Sequence, residues 1–199
     1  MTQIATPFLS SDEQALLLRI ARDALNFYAQ EKKRISLSRY TLTAELEAPH
    51  GAFVTLRSAG VLRGCIGHTR NIESLARAVR DNTINAAARD PRFTPVSLDE
   101  LPDIRIEVSA LCPGRRADSP FIPVDDISEI CLGRDGLYLD HAGSKGGGLL
   151  LPQVPLEQGW DLNTFLEGVS KKAGADPDAW KGDDCQLYRF SAQVFGEPD

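Results

Sequence analysis

The chain has 199 residues, of which 42% are hydrophobic, so it is long enough to bury a substantial core. Its formal net charge is −6, which argues against a surface that binds nucleic acid, because phosphate contacts require a cationic footprint. No apolar run approaches the roughly 20 residues of a membrane span, and the N-terminus lacks the pattern of a secretory signal. We therefore expect a cytoplasmic protein without membrane attachment.

Two helices in the first half of the chain are predicted from capping residues and hydrophobic periodicity. Ser10 and Glu13 form a capping-box pattern, and the helix after them is predicted to run from about residue 12 to residue 33. A second helix is predicted from an N-cap at Asn71 to the residue before Pro91, since proline disfavours helical geometry in its predecessor.

The second half of the chain contains a third predicted helix, and strands are predicted between the helices. The helix follows Asp161 and ends near Gly174, and a short turn that holds Trp180 comes after it. Helices and strands are interspersed without strict βαβα alternation, so the fold class is α+β. The predicted strands cover residues 52–57, 61–66, 104–112, 127–131, 136–141, 148–151 and 186–195.

The whole chain, residues 1–199, is interpreted as a single domain. Proline and charged residues concentrate between residues 112 and 126, and this composition is typical of a connection between two lobes. We therefore place a subdomain seam there.

The segment LRGCIG, residues 62–67, is the most informative motif and lies in the second strand of a predicted hairpin. A two-residue turn at residues 59–60 would mix charged and apolar side chains on both faces of the hairpin. A three-residue loop, residues 58–60, instead gathers the aliphatic side chains on one buried face. Arg63 and Cys65 then lie on the other face, roughly 7 Å apart.

The glycines of this motif, and His68 directly after it, are candidate binding residues. The preferred register pairs Leu56 with Leu62 and Val54 with Gly64. Because Gly64 then faces the packed side, its missing side chain favours close packing. Gly67, at the end of the strand, is the predicted opening for a ligand.

Two interpretations of Cys65 follow from its surroundings. In the first, the Arg63 guanidinium lowers the thiol pKa from its free value of ~8.5, and Cys65 is a nucleophile or an acid–base group. In the second, Cys65 is a small buried hydrophobe and Arg63 pairs with an acid. If its strand joins the hairpin, Glu107 is either the partner of Arg63 or a base for Cys65, and His68 is another candidate base.

Arginines concentrate between residues 57 and 92, although the chain as a whole is acidic. This segment has seven arginines and three acidic residues, which gives a charge of +4. Arginine suits bidentate contact with carboxylate or phosphate, so the segment predicts a small anionic ligand or an acidic partner. Its predicted binding residues are Arg57, Arg89 and Arg92.

No metal site, cofactor or nucleic-acid site is predicted. The four cysteines make no C-x-x-C pair, so neither a zinc ribbon nor a disulfide framework is indicated. The glycine-rich segment at residues 141–148 is interpreted as a mobile loop without the order of a Walker motif. The basic residues also lack an interleaved aromatic platform for RNA.

Five sequence blocks, LRGCIG, RDPRFTPV, IEVSAL, GLLLPQV and KKAGADPDAW, occur in this order, and together they resemble the AMMECR family over nearly the whole chain. The resemblance implies an α+β fold, a mixed or antiparallel sheet with flanking helices, and a larger and a smaller subdomain. It also implies that LRGCIG lies near the cleft between them. His68 stands where relatives commonly have threonine.

Prokaryotic relatives in this family are similar to one component of a three-part system, encoded beside a radical-SAM-like enzyme and a Memo-like, dioxygenase-related protein. The resemblance therefore implies these two proteins as partners, and the modification of a nucleotide or another small molecule as the activity of the system.

The predicted function is a ligand- or partner-binding component of such a system, with its site near LRGCIG. This choice follows because no complete set of nucleophile, base and orienting group can be assembled from the residues. The alternative is a thiol-dependent enzyme that uses Cys65 on an anionic substrate.

Overall fold

The computed structural model describes residues 8–114, 119–141 and 147–198. The chain forms two compact units, Met1–Leu111 with Gln193–Asp199, and Cys112–Ala192. Both units combine helices with antiparallel strand pairs, so the predicted α+β class is confirmed. Within the described ranges, no helix is both long enough and apolar enough to cross a membrane.

In its described residues, the first unit has three helices and three complete strands. The helices are α1 (Ser11–Glu31), α2 (Ala44–Glu47) and α3 (Leu75–Ala88), with 3₁₀ turns at Leu37–Arg39 and Leu98–Asp103. The strands are β1 (Ala52–Ser58), β2 (Val61–His68) and β3 (Ile104–Leu111). Their order is β2-β1-β3, so β2 is an edge strand of the sheet.

The second unit is built from shorter elements. Its strands β4 (Ile122–Pro123), β5 (Asp135–His141) and β6 (Gly148–Leu150) are followed by helices α4 (Val154–Gln158) and α5 (Leu162–Lys172). Its described residues also form 3₁₀ turns at Ile127–Glu129 and Ala179–Lys181. The last strand, β7 (Cys185–Gly196), pairs with β4 and β5, and its final residues belong to the first unit, where the sheet order places β7 next to β3.

The predicted start of α1 is confirmed and that of α3 is wrong. Ser10 and Glu13 form the expected capping box. In α3, however, the N-cap is Ser74, whose hydroxyl accepts the Arg77 N–H. Asn71 uses its side-chain oxygen to accept the Gly51 N–H at 3.2 Å, so this residue holds a loop rather than a helix start.

The elements predicted in the second half are found except at residues 127–131, whereas β4 and α4 were not predicted. The Asp126 side chain accepts the Ser128 N–H at 2.8 Å, and this local bond stabilises a 3₁₀ turn where a strand was expected. The Asp161 cap of α5 and the turn that holds Trp180 are confirmed. Most of the expected glycine-rich loop, residues 142–146, lies outside the described residues.

The core of the first unit lies between one face of the sheet and the helices α1 and α3. Along β1, the side chains of Ala52, Val54 and Leu56 are fully buried on this face. Gly64 of β2 pairs with Leu56 and lies against α3. A Cβ atom at Gly64 would lie 2.2 Å from the Ala86 carbonyl oxygen, so α3 can approach β2 only because this residue is glycine.

Replacing Gly64 with alanine tests this contact. The new methyl group would force two backbone segments apart, so we expect Gly64→Ala to lower the free energy of unfolding by about 1–3 kcal/mol. Urea denaturation followed by circular dichroism measures the change. Val61→Ala is the matched control in the same strand, because Val61 is 70% exposed and its loss should stay within about 0.5 kcal/mol. Equal losses in the two variants would contradict the packing role.

Candidate functional site

The hairpin that carries LRGCIG closes with a two-residue turn, which corrects the sequence prediction of a three-residue loop. Ala59 and Gly60 both have positive φ values, 48° and 77°, as a type I′ turn requires. The pairing then slips between Leu56 and Arg57, so that Arg63 of β2 has no directly opposed residue. Arg63 is therefore a β-bulge.

The bulge brings Val54, Leu56 and Ile66 to the same face, whereas Leu62 pairs with Arg57 and not with Leu56 as the sequence predicted. Beyond it, Leu56 pairs with Gly64 and Val54 pairs with Ile66, which gives a continuous buried face. A two-residue turn without the bulge would have placed Val54 beside Cys65, which was the reason for expecting a longer loop. One extra residue in β2 shifts the alternation of side chains between the two faces, so the turn does not need a third residue.

The Arg63 guanidinium is paired with a carboxylate from outside the arginine-rich segment. Its Nε and Nη2 donate to Glu100 at 2.6 and 3.1 Å, and this bidentate contact lowers the pKa of the Glu100 carboxyl to about 2. The Ser97 backbone N–H also donates to Glu100. The guanidinium carbon lies 5.8 Å from the centre of the Phe93 ring. The acidic partner of Arg63 is thus Glu100 and not Glu107, which was one of the predicted alternatives.

The segment RDPRF, residues 89–93, holds the free edge of β2 at Cys65. The Cys65 backbone N–H donates to Asp90 Oδ2 at 2.8 Å, and Arg92 Nη2 donates to the Cys65 carbonyl oxygen at 3.4 Å. Asp90 and Arg92 are themselves joined, with Nη2 2.7 Å from Oδ2. The Arg92 guanidinium, together with the Cys65 N–H, holds the pKa of the buried Asp90 carboxyl well below its usual range.

The Cys65 thiol lies in a half-buried polar row of the sheet. Cys65 pairs with Thr55, whose hydroxyl lies 3.4 Å from the sulfur, and Thr55 pairs with Glu107 on its other side. Burial raises the pKa of the thiol, and the carboxylates of Asp90 and Glu107 act in the same direction. Thr55 and Arg92 lower the pKa, but the net change is upward.

The hypothesis of a thiolate activated by Arg63 therefore has no support in the geometry. Arg63 is neutralised by Glu100, and it is not among the groups that shift the Cys65 pKa. The surroundings of Cys65 correspond to the second interpretation, in which the thiol is protonated and Arg63 pairs with an acid.

The two candidate bases are not placed against the thiol. Glu107 shares a face with Cys65, but Thr55 lies between them in the ladder. His68 lies three residues from Cys65 along β2 and therefore on the opposite face, and its Nε2 is 3.1 Å from the Glu73 carboxylate. A base role for His68 is thus corrected to an ion pair or hydrogen bond with Glu73.

The predicted ligand opening at Gly67 is also corrected. The Phe53 ring covers this position, since a Cβ atom at Gly67 would lie 2.3 Å from the ring carbons. Gly67 therefore accommodates an aromatic side chain from the neighbouring strand, and Gly64 accommodates α3. Both glycines serve packing in the described contacts.

The remaining predicted binding residues are spread over the unit. Arg57 pairs with Leu62 on one side and with Arg105 on the other, at the end of the polar face. Arg89 follows the last residue of α3 and is exposed, and within the described ranges it has no acidic partner. The structure thus brings Arg92 into contact with Cys65. Arg57 lies farther along the hairpin, and Arg89 lies at the end of α3.

The local field expected from seven arginines is reduced by ion pairs. Arg63 pairs with Glu100, Arg92 with Asp90, and Arg80 with Asp81. Sequence reasoning missed Glu100 and Asp90 as parts of the site. A signal for Glu100 was present, because Ser97 and Glu100 have capping-box spacing, which the structure forms.

Comparison with known proteins identifies a family. The AMMECR1 family profile matches residues 18–195. A protein from Methanothermobacter thermautotrophicus is 41% identical over 189 residues, which cover 95% of this chain and 96% of that protein. A protein from Methanocella arvoryzae is 39% identical over 193 residues, which cover 96% and 94%. The crystal structure of uncharacterized protein PH0010 from Pyrococcus horikoshii has a TM-score of 0.87 at 36% identity and covers 96% of this chain and 94% of that chain.

Asp90→Ala tests whether the carboxylate holds the edge of β2. The substitution leaves the Cys65 N–H and the Arg92 guanidinium without their acceptor, so we expect the free energy of unfolding at pH 7 to fall by about 1–3 kcal/mol. Urea denaturation measures the fall. The exposed Asp99, as Asp99→Ala, is the control and should change by less than about 0.5 kcal/mol.

The difference in free energy of unfolding between wild type and Asp90→Ala should change with pH in one direction. The pKa of Asp90 is lowered by folding, so its contribution to stability is complete above the unfolded value of ~3.9 and is lost as the pH falls below it. The gap between wild type and Asp90→Ala should therefore be constant from pH 7 to about pH 5 and narrow below about pH 4. A gap that widens on acidification would show that the carboxylate is not held in its ionised form.

Iodoacetamide labelling, read by peptide mass spectrometry across a pH series, tests the state of the Cys65 thiol. Because burial raises its pKa, Cys65 should label more slowly at pH 7 than the exposed Cys131. Arg63→Gln should leave the pH profile of Cys65 unchanged, since Glu100 already neutralises Arg63. Faster labelling of Cys65 than of Cys131 below pH 7 would restore the activated-thiol hypothesis.

Proposed function

The chain belongs to the AMMECR1 family of uncharacterized proteins, and from that premise we propose that it binds a small anionic ligand at the Arg63 cluster. The Arg63 cluster consists of Arg63, Arg92 and Phe93, and Glu100 and Asp90 hold its two guanidinium groups. The ligand is bound rather than chemically changed by this chain alone.

The observation that carries the proposal is an unused donor on Arg63. Its side chain is only 15% exposed, and Glu100 accepts from Nε and Nη2. Nη1 is buried and has no hydrogen-bond partner among the described residues. A buried donor without an acceptor costs roughly 1–3 kcal/mol, and more when the group is charged, so an oxygen of a ligand would relieve this penalty.

The other members of the Arg63 cluster are arranged to support such a ligand. The Phe93 ring lies 5.8 Å from the guanidinium carbon of Arg63 and 5.5 Å from that of Arg92, so it holds both planar groups in place. The Arg92 side chain is 53% exposed, and of its guanidinium nitrogens Nε and Nη2 donate to Asp90. Donors from both arginines are thus available to an anionic oxygen. Their charges are already balanced, so binding depends on hydrogen bonds more than on net charge.

The thiol-dependent enzyme is the weaker candidate. Burial raises the pKa of Cys65, and neither His68 nor Glu107 is placed as its base. The Cys65 backbone, in contrast, is bonded to two residues next to the proposed ligand, Asp90 and Arg92. Cys65 therefore contributes to the site by positioning it.

We propose further that the ligand belongs to a small-molecule or nucleotide modification system in which Memo-like and radical-SAM-like proteins are partners. This step is supported by the resemblance of the five sequence blocks. A cytoplasmic location is part of the proposal and is supported by four free thiols, which suit a reducing compartment.

Titration with inorganic phosphate and with adenosine monophosphate, followed by amide NMR shifts, tests ligand binding. We expect saturable shifts at Cys65 and Arg92. Arg63→Lys keeps the charge but removes Nη1, so the affinity should fall at least about tenfold, the equivalent of 1.4 kcal/mol. Arg77→Lys on the exposed face of α3 is the matched control and should bind as wild type does.

Two results would overturn the proposal. One is the absence of saturable shifts for both anions, and the other is equal affinity in Arg63→Lys and Arg77→Lys. Cys65→Ser distinguishes the binding protein from the thiol-dependent enzyme, because a binding site that does not use the thiol retains its affinity in this variant. A chain that converts its ligand and loses this conversion in Cys65→Ser would be a thiol-dependent enzyme.

A further inference from the structure

Three side chains with metal-binding atoms meet in the second unit, where β5 ends and β7 begins. His141, the last residue of β5, pairs directly with Cys185, the first residue of β7. Directly opposed side chains in an antiparallel pair have Cβ atoms about 4.5–5.5 Å apart. Asp184 precedes Cys185, so its carboxylate reaches the same end of the ladder.

The distances between these atoms are close to those of a formed metal site. His141 Nε2 lies 3.5 Å from Asp184 Oδ2, and Cys185 Sγ lies 3.9 Å from Asp184 Oδ1. All three ligand atoms lie within 4.8 Å of one another. Bond lengths of about 2.0–2.3 Å in a tetrahedral zinc site separate neighbouring ligand atoms by about 3.3–3.6 Å. Small side-chain rotations would therefore complete the geometry.

We propose that His141, Asp184 and Cys185 form a binding site for a divalent transition metal ion, with Zn²⁺ as the best match. A thiolate and an imidazole select zinc or a related metal over Mg²⁺ and Ca²⁺, which prefer oxygen ligands. Three protein ligands leave the fourth tetrahedral position to water or to an exogenous ligand. When the metal–sulfur bond forms, the Cys185 thiol releases its proton to solvent.

Exposure and charge agree with this assignment. Asp184 is 69% exposed and His141 is 23% exposed, so an ion can reach the ligands from solvent while the imidazole is held by the strand. Asp140 adds a negative charge that acts on the Cys185 sulfur. The exposed Asp183, which precedes Asp184 in the sequence, adds another negative charge. The basic side chain of Lys181 is paired with Asp178. The surroundings therefore attract a cation.

Cobalt(II) titration of the chelator-treated full chain tests the site, because Co²⁺ reports thiolate and tetrahedral coordination by its absorption. We expect one Co²⁺ per chain, a thiolate-to-cobalt charge-transfer band, and displacement by Zn²⁺. Cys185→Ser should lose the band. Asp184→Asn, an exposed position, should keep the band but weaken Co²⁺ binding more than about tenfold.

Cys131→Ser is the matched control, since Cys131 is an exposed thiol of the same unit and should retain full binding. Circular dichroism of each variant shows that the fold is kept, and the exposed Asp184→Asn gives a second answer if Cys185→Ser is unstable. The proposal fails if the wild-type chain shows no charge-transfer band. It also fails if the band persists in folded Cys185→Ser, or if Asp184→Asn binds Co²⁺ as tightly as wild type.

Discussion

The carboxylate of Asp90 is the interaction on which the geometry around Cys65 depends. β2 is an edge strand, so its outward backbone groups at Cys65 have no neighbouring strand among the described residues. Asp90 accepts the N–H and its partner Arg92 donates to the carbonyl, so that the loop after α3 takes the place of a strand for one residue. The same loop is fixed to β2 through α3, because Ala86 of that helix lies against Gly64. The loop and the helix thereby both contact the edge strand near Cys65.

The β-bulge at Arg63 explains why the sequence predicted the strands but not their register. Helix caps and strand positions follow from local periodicity, and α1, α5 and most strands were found in this way. The hairpin was assigned on a correct criterion, a continuous buried face, but strict alternation was assumed through Arg63. One extra residue reverses the alternation, so the two-residue turn at Ala59 and Gly60 satisfies the same criterion. No local sequence pattern indicates the extra residue of such a β-bulge.

The electrostatic surroundings of Cys65 were poorly predicted from residues that are close to it in sequence. Arg63 lies two positions from Cys65, but its field is cancelled by Glu100, which is distant along the chain. Arg92 is far from Cys65 in sequence, yet it reaches the carbonyl of that residue. A count of arginines in a segment cannot include partners that the fold brings from elsewhere. The proposed ligand binding therefore rests on a buried donor of Arg63 rather than on a free charge.

The contrast between Cys65 and Cys185 shows how the same residue type acquires different chemistry. Burial raises the pKa of both thiols, and nearby carboxylates add to the effect. At Cys65 the neighbouring carboxylate of Asp90 is already bonded to a guanidinium, and His68 lies on the other face, so neither of these two residues is placed as a second ligand. At Cys185 an imidazole and a carboxylate converge on the sulfur. The pairing of β5 with β7 determines that convergence, and it cannot be derived from the spacing of cysteines along the chain.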